Sequence, residues 1–395
     1  MSVDSFTTVT HQSWFGRLKD SVVGVLFGLA LFVGSFFLLT WNEGRSVRTA
    51  RALTELKGAV VSIESDRVDE KHEGQPVHLS GTASANQTLA DEAFAVSVEA
   101  IKLRRSVEMF QWREEKRQET REKVGGGTET RTTYTYDQRW SSDLIDSRQF
   151  AKEEGHANPQ SWRFQRMEQI ADRVMLGAFT LSSGLVGQMN EYETLPIAEQ
   201  LKIPESDRDR ALVADQTVYL PNEATGAKPD PAHPVVGDLR IKWQVVKPAV
   251  VSVIAGQAKS TLGAWQSTQA QGFGTQIERL QYGTLSAVAM VGQLEAENTM
   301  LTWLLRGGGY LMMAFGIGVI LRPIAVFASF IPIFGSLTRG GIMAFSLLIA
   351  MGLSLATIAV AWLAYRPWLA AGLIAGTVVS ILLAIRFLRR PAGTP

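Results

Sequence analysis

The sequence predicts an integral membrane protein with four transmembrane α-helices, one N-terminal and three C-terminal, and a large α+β extracytoplasmic domain rich in antiparallel strands. Three observations carry that prediction. Residues 21–41 contain no charge, and the uncharged runs 307–321, 323–338, 340–365 and 367–385 are interrupted only by Arg322, Arg339 and Arg366. A helix needs ~20 mainly apolar residues to cross a hydrocarbon core of about 30 Å, and these runs supply them. The region between, residues 42–303, holds nearly all the charge and repeatedly alternates apolar with polar residues, the period of half-buried strands.

Residues 1–20 are polar, with Arg17 and Lys19 near their end, and read as a cytoplasmic N-terminus. The first span, 21–41, is longer than a usual signal core. Leu38-Leu39-Thr40-Trp41 offers no small-x-small cleavage site, so the span reads as a signal anchor. Trp41 then sits where an interfacial aromatic belongs. In the domain, residues 59–63 and 77–80 are short and β-rich, and 93–103 alternates Phe94, Val96, Val98 and Ile101. Residues 104–136 read as a long hairpin broken at Gly125-Gly126-Gly127, its outer part polar on both faces, with Tyr134 and Tyr136 set among threonines. Such a hairpin projects from the body or pairs with another chain.

A short helix is expected near 164–176, a loop at 221–234 where Pro229, Pro231 and Pro234 cluster, and strands at 237–247 and 248–256. From residue 284 the period turns helical, with Leu285, Val288, Val291 and Leu294 three apart, which predicts a helix running from the domain into the second span. The second span and a re-entrant or interfacial segment, broken by Pro323 and Pro332, occupy 304–338. Residues 340–365 and 367–386 form the last two spans, and 387–395 a cytoplasmic tail.

Arginine and lysine set the orientation. With four spans, Arg17, Lys19, Arg322, Arg339, Arg386, Arg389 and Arg390 fall on one side, which the positive-inside rule makes cytoplasmic. Arg45, Arg48 and Arg51 oppose this, but long domains translocate largely regardless of such charges. A bacterial inner membrane with a periplasmic domain is favoured over the endoplasmic reticulum or nuclear envelope, because Asn86-Gln87-Thr88 is the only glycosylation sequon in the domain.

A formal net charge of +1 gives no case for nucleic acid as a partner. The absence of cysteine excludes disulfides, thiolate metal sites and a cysteine nucleophile. There is no Walker loop, no G-x-S-x-G and no H-E-x-x-H, and His11, His72, His78, His156 and His233 are scattered singly. Neither enzyme activity nor a cofactor or metal is expected; His78 could gain Asp143 or Asp146 as a neighbour only through the fold.

Several motifs remain. Trp41-Asn42-Glu43-Gly44-Arg45 at the exit of the first span, the stretch from Leu103 through Arg104, Arg105, Glu108 and Met109 to Trp112, and Trp362 through Arg366-Pro367 together resemble the transmembrane protein 43 (LUMA) family. The likeness covers nearly the whole chain. It implies a multi-pass protein with a lumenal or extracytoplasmic domain that organises complexes with other membrane proteins, and it brings no catalytic residues. Read physically, Glu43 and Arg45 can pair with each other or with headgroups, or form a solvated stop, and Gly44 allows a sharp turn. In strand geometry Arg104, Ser106, Glu108 and Phe110 share one face and Arg105, Val107 and Met109 the other, with a buried Arg–Glu pair as one outcome. Arg322 has no acidic residue to meet between Gly307 and Pro395 and reads as snorkelling to headgroups.

The expected function is a non-enzymatic multi-pass scaffold that binds itself, other membrane proteins and membrane lipids. The alternatives are a channel or transporter formed by an oligomer, and an extracytoplasmic enzyme acting on envelope or lipid.

Overall fold

The computed structural model describes residues 4–123, 126–196, 201–223, 228–272, 275–328, 332–365 and 367–368. The elements that position the site are β1 (Asp4–Gln12), α1 (Trp14–Ala59), β2 (Pro76–Ser84), β3 (Lys102–Glu122), β4 (Thr128–Ser141), β5 (Leu239–Val246), β6 (Ala249–Ala258), α2 (Ala287–Ile320), α3 (Arg322–Ala328) and α4 (Pro332–Tyr365).

Two sheets build the domain. One runs β1–β4–β3–β5 and ends on Thr217–Leu220 and Leu212–Ala214; the other is organised around β6, which pairs with β2 and with Arg279–Tyr282. The alternation of β3 decides what faces inward: Leu103, Val107 and Met109 lie opposite Val245, Ile241 and Leu239 of β5, and all six are buried. Trp243, Phe94, Phe179 and Val253 are fully buried between the sheets, with the Phe94 and Trp243 rings edge-to-face at 5.1 Å.

The predicted hairpin is present. β3 and β4 pair from Met109↔Ser141 to Glu122↔Thr128. Beyond Trp112 the outer edge of β3 pairs with no other strand among the described residues. The N-terminal segment adds β1 to the far side of β4, from Asp4↔Tyr136 to Gln12↔Thr128. Its threonines fit that place, since β-branched residues suit a pleated surface.

This three-stranded sheet runs from the domain to the N-terminal end of α1. At the domain end, His156 Nε2 lies 3.0 Å from Asp4 Oδ2, so residues 4–12 do not stand apart from the domain as the expected N-terminal segment 1–20 would, but return to it as a strand. At the other end Ser13 caps α1, and Arg17 reaches the hairpin tip with Nη2 donating to Glu122 Oε1 at 2.8 Å and Nη1 bonding the Gly126 carbonyl. Nine strand residues cover ~30 Å, and about twenty helical residues cover the same rise. The sheet therefore stands level with the first part of α1, which includes most of the uncharged run 21–41.

Among the described residues three helices are long and apolar enough to cross a membrane: Trp14–Ala59, Ala287–Ile320 and Gly340–Tyr365. The fourth expected span, 367–386, falls outside the described residues except for 367 and 368. Gly28 of α1 lies where α1 and α2 pack together. A Cβ there would lie 2.9 Å from the Gly316 carbonyl oxygen, and one on Gly316 would lie 2.8 Å from Phe32 N, so the two helices touch through backbone.

Two local expectations change. The helix expected near 164–176 is replaced by strands Met167–Ile170 and Met175–Leu176, because Met167–Ile170 completes the edge of β3 opposite Lys102–Arg105. The short helix comes later, at Ser183–Gly187, where the Ser182 hydroxyl accepts from Leu185 N. The segment 323–338 is not one unit: α3 takes its first residues, and Pro332 opens α4, which continues through Arg339 to Tyr365.

α1 and α2 continue beyond their apolar runs into the domain. Ala52, Leu53 and Leu56 pack with Met290 and Val291 of α2 against Ile254 on β6 and against Trp265 and Ile277. The Glu55 carboxylate accepts from the amides of Thr268 at 3.1 Å and Gln269 at 3.0 Å.

Candidate functional site

Residues Asn42 to Ser46 are buried where α1 meets α2 and α4. Residues three and four apart share a helix face, so Asn42, Arg45 and Ser46 meet one partner while Glu43, about 100° around the helix, meets another. Asn42 Nδ2 donates to the Thr302 carbonyl at 3.1 Å. Arg45 donates from Nη1 to Asn298 Oδ1 at 3.0 Å and from Nη2 to Thr302 Oγ1 at 3.0 Å, and Asn298 Nδ2 donates back to the Ser46 carbonyl at 3.1 Å.

Glu43 is fully buried. Arg306 of α2 binds it with two hydrogen bonds, Nε to Oε1 at 2.7 Å and Nη2 to Oε2 at 2.9 Å, and Trp362 Nε1 of α4 adds a third at 2.8 Å. The Arg306 guanidinium also lies 4.8 Å from the Trp303 ring centroid and 5.7 Å from that of Trp362. Gly44 faces Tyr365: a Cβ there would come within 2.8 Å of the ring. One pentapeptide thus ties three helices together.

The solvated interfacial stop is not what forms. Glu43 pairs with Arg306 rather than with Arg45 or headgroups, and Arg45 binds neutral amide and hydroxyl groups, because a charge without water needs partners in fixed geometry. Trp41 remains 42% exposed on the outer side of the helix. The partners Asn298, Thr302, Arg306 and Trp362 were not expected. One signal existed: Arg306 immediately precedes the second apolar run as Glu43 closely follows the first, so opposite charges bound the two spans at the same depth.

The second set of expected residues lies on β3 and β4. Arg105 points into the core opposite Trp243, and its buried partner is Asp91, not a glutamate: Arg105 Nη1 donates to both carboxylate oxygens at 2.6 and 2.7 Å. Trp243 Nε1 donates to the same carboxylate at 2.8 Å. Arg104, on the opposite face, donates to Gln244 Oε1 at 2.7 Å and covers the Tyr192 ring at 3.8 Å. Glu108 pairs with Arg240 at 2.5 Å. Trp112 lies edge-on to His156, which stacks on Tyr136 at 3.8 Å. The Tyr136 hydroxyl donates to Glu114 Oε2 at 2.8 Å, and burial together with that carboxylate pushes the phenol up to about 12. Tyr134 stacks on Phe6 across β4 and β1.

His78 meets neither Asp143 nor Asp146. Its Nε2 lies 2.8 Å from the Leu285 carbonyl, so this nitrogen donates, and Nδ1 accepts from the Ser62 hydroxyl at 3.1 Å. Asp143 receives Gln111 on its carbonyl, and the Asp146 carboxylate binds Arg148. Arg322 is exposed at the start of α3 and makes no ion pair among the described residues.

Residues 109–367 match the family model of transmembrane protein 43. The chain belongs to that family. It is 34% identical over 391 residues to transmembrane protein 43 of Homo sapiens, covering 95% of this chain and 93% of that one. The Mus musculus protein is 32% identical over 391 residues, at 96% and 93% coverage, and the transmembrane protein 43 homolog of Drosophila melanogaster is 30% identical over 357 residues, at 88% and 90%. No solved structure matches the chain. In this transmembrane protein 43 relative, the buried clamp joins residues inside the matched segment, Arg306 and Trp362, to Glu43, which precedes it.

Proposed function

We propose that this chain is a non-enzymatic membrane scaffold that assembles with copies of itself, and through them with other membrane proteins, by way of the β1–β4–β3 sheet. One observation carries the reading. The sheet stands level with the first span, yet among the described residues neither of its long edges pairs with a further strand beyond Trp112, and both faces are polar. One face presents Arg113, Glu115, Arg117, Glu119 and Arg121, and the other Glu114, Lys116, Gln118, Thr120 and Glu122.

Unpaired backbone groups cost several kcal/mol each in hydrocarbon, and charged side chains add to that. At bilayer depth such a sheet must face protein or trapped water, and a second copy supplies both. An open strand edge is also a template for pairing with another chain. In this reading the domain stands on the extracytoplasmic face, because Arg17 and Lys19 mark the cytoplasmic end of the first span. In a bacterial host that face is the periplasmic side of the inner membrane.

The test starts from the absence of native cysteine, which gives engineered thiols no background. Thr8→Cys on the outer strand should yield a disulfide-linked dimer in native membranes, and the particle in lipid nanodiscs should have the mass of an oligomer. Thr8→Pro, which removes a backbone donor, should shift that mass toward the monomer while the helices still insert. A wild-type monomer in nanodiscs would sink the proposal. The same polar sheet favours one second reading, a water-filled path between copies, which ion flux in proteoliposomes would reveal.

A further inference from the structure

Between the N-terminal end of α1, the C-terminal half of α2, α3 and α4 lies a cavity of about 630 Å³. Its size falls in the range of small-molecule sites, roughly 300–1,000 Å³. The walls are apolar, with Leu311 and Phe315 from α2 and Met343 and Leu347 from α4. Leu311, Phe315 and Met343 are also largely exposed on the outer surface of the helices, so the cavity opens sideways toward lipid.

Three polar groups line this apolar space: Arg17, Arg322 and Ser346. Arg17 is engaged by the hairpin tip. Arg322 makes no ion pair among the described residues, and the sequence holds no acidic residue from Gly307 onward that could give it one. Ser346 is 2% exposed, and its hydroxyl has no hydrogen-bond partner among the described residues. Other hydroxyls of these helices are spent on the backbone. Ser21 and Thr357 each donate to a carbonyl one turn earlier, at 2.8 and 2.7 Å. Ser346 instead presents a buried, unspent donor to the cavity. The Ser346 Oγ lies 3.6 Å from where a Cβ of Gly318 would be, close to the end of α2 at Ile320, and Arg322 opens α3 two residues beyond that end.

We infer that this cavity binds one anionic glycerophospholipid per chain, with an acyl chain along the apolar walls, an ester carbonyl accepting from Ser346 Oγ, and the phosphate on Arg322. A basic group beside an apolar cleft between membrane helices is what an anionic headgroup with its tail requires. A net positive site that shares its cavity with a donor prefers a lipid with net negative charge over a zwitterionic one of equal chain length.

Native mass spectrometry of the delipidated full-length protein would test this, with phosphatidylglycerol and phosphatidylcholine of identical chains as probes. The expected result is one retained phosphatidylglycerol per chain, held at least about tenfold more tightly than phosphatidylcholine. Arg322→Gln should abolish that preference. Ser346→Phe, which fills the cavity, should remove the retained lipid of either kind, while thermal unfolding of the domain stays unchanged. Competition by inorganic phosphate at millimolar concentration would show that the headgroup alone accounts for binding and would overturn the acyl assignment. Equal retention of the two lipids by the unaltered protein, a broad distribution of lipid numbers, or a preference that survives Arg322→Gln would overturn the site.

Discussion

Two charged regions of the chain, the clamp around Glu43 and the outer part of the β1–β4–β3 sheet, use the same residue types to opposite ends. In the clamp the carboxylate is fully buried and receives three directed donors. On the sheet Arg117 and Glu119 stand 3.6 Å apart with side chains 82% and 52% exposed. Water decides the difference. An exposed pair contributes ~0–1 kcal/mol, whereas removing one member of a buried pair costs about 3–5 kcal/mol, because the other charge is left without water or partner. Charge at the clamp fixes how three helices meet, and charge on the sheet leaves a surface available to something else.

The largest effect should come from breaking the clamp. Arg306→Ala strands Glu43 and should destabilise the helical block by about 3–5 kcal/mol, read as a lower unfolding midpoint in nanodiscs. Replacing both charges, Glu43→Leu with Arg306→Met, should cost clearly less than Arg306→Ala alone. If the double replacement were the worse of the two, the clamp would be more than a neutralised pair. Trp243→Phe comes next. It keeps an aromatic ring in the core but removes one donor from Asp91 and leaves part of the indole volume empty, for a loss of about 2–3 kcal/mol in domain unfolding. Gly28→Val places methyl groups against the Gly316 backbone, which cannot retreat as a flexible side chain could, and should cost about 1–3 kcal/mol.

How much of this was legible depended on the range over which each signal acts. The hairpin and the helix from Ala287 were readable because their periods, two and three to four residues, lie within one stretch of sequence. Three of the four expected spans were readable because length and lack of charge suffice, and the fourth falls outside the described residues. The strand Met167–Ile170 was not, since it exists by completing an edge formed some sixty residues earlier. Nor was β1: its run of threonines takes strand form beside β4, which is more than a hundred residues away in sequence. Within the candidate site the pentapeptide itself stood out, but its partners did not. Glu43 and Arg306 are 263 positions apart, and nothing local to either shows that the charge will be buried.

A smaller effect separates burial from exposure by pH. Burial holds the His78 imidazole below its ordinary range despite the opposing pull of the Leu285 carbonyl. The unfolded chain takes up a proton as pH falls through about 6.5, while the folded protein resists it. The contribution of His78 is therefore complete above that pH and declines below it, by no more than about 1.4 kcal/mol per pH unit. Domain unfolding at pH 7.5 and 5.5 should differ accordingly, and His78→Gln should flatten the difference.

The smallest change falls on the sheet and sharpens the comparison most. Arg117→Gln with Glu119→Gln removes two charges from a solvated face, so the unfolding midpoint should move by the equivalent of no more than ~0.5 kcal/mol. A shift above about 1 kcal/mol would mean that the pair is packed within its own chain, and the contrast with the clamp would fail. A change in oligomer mass at constant stability would instead show that these charges act between molecules, where a desolvated pair is worth far more than the same pair in water.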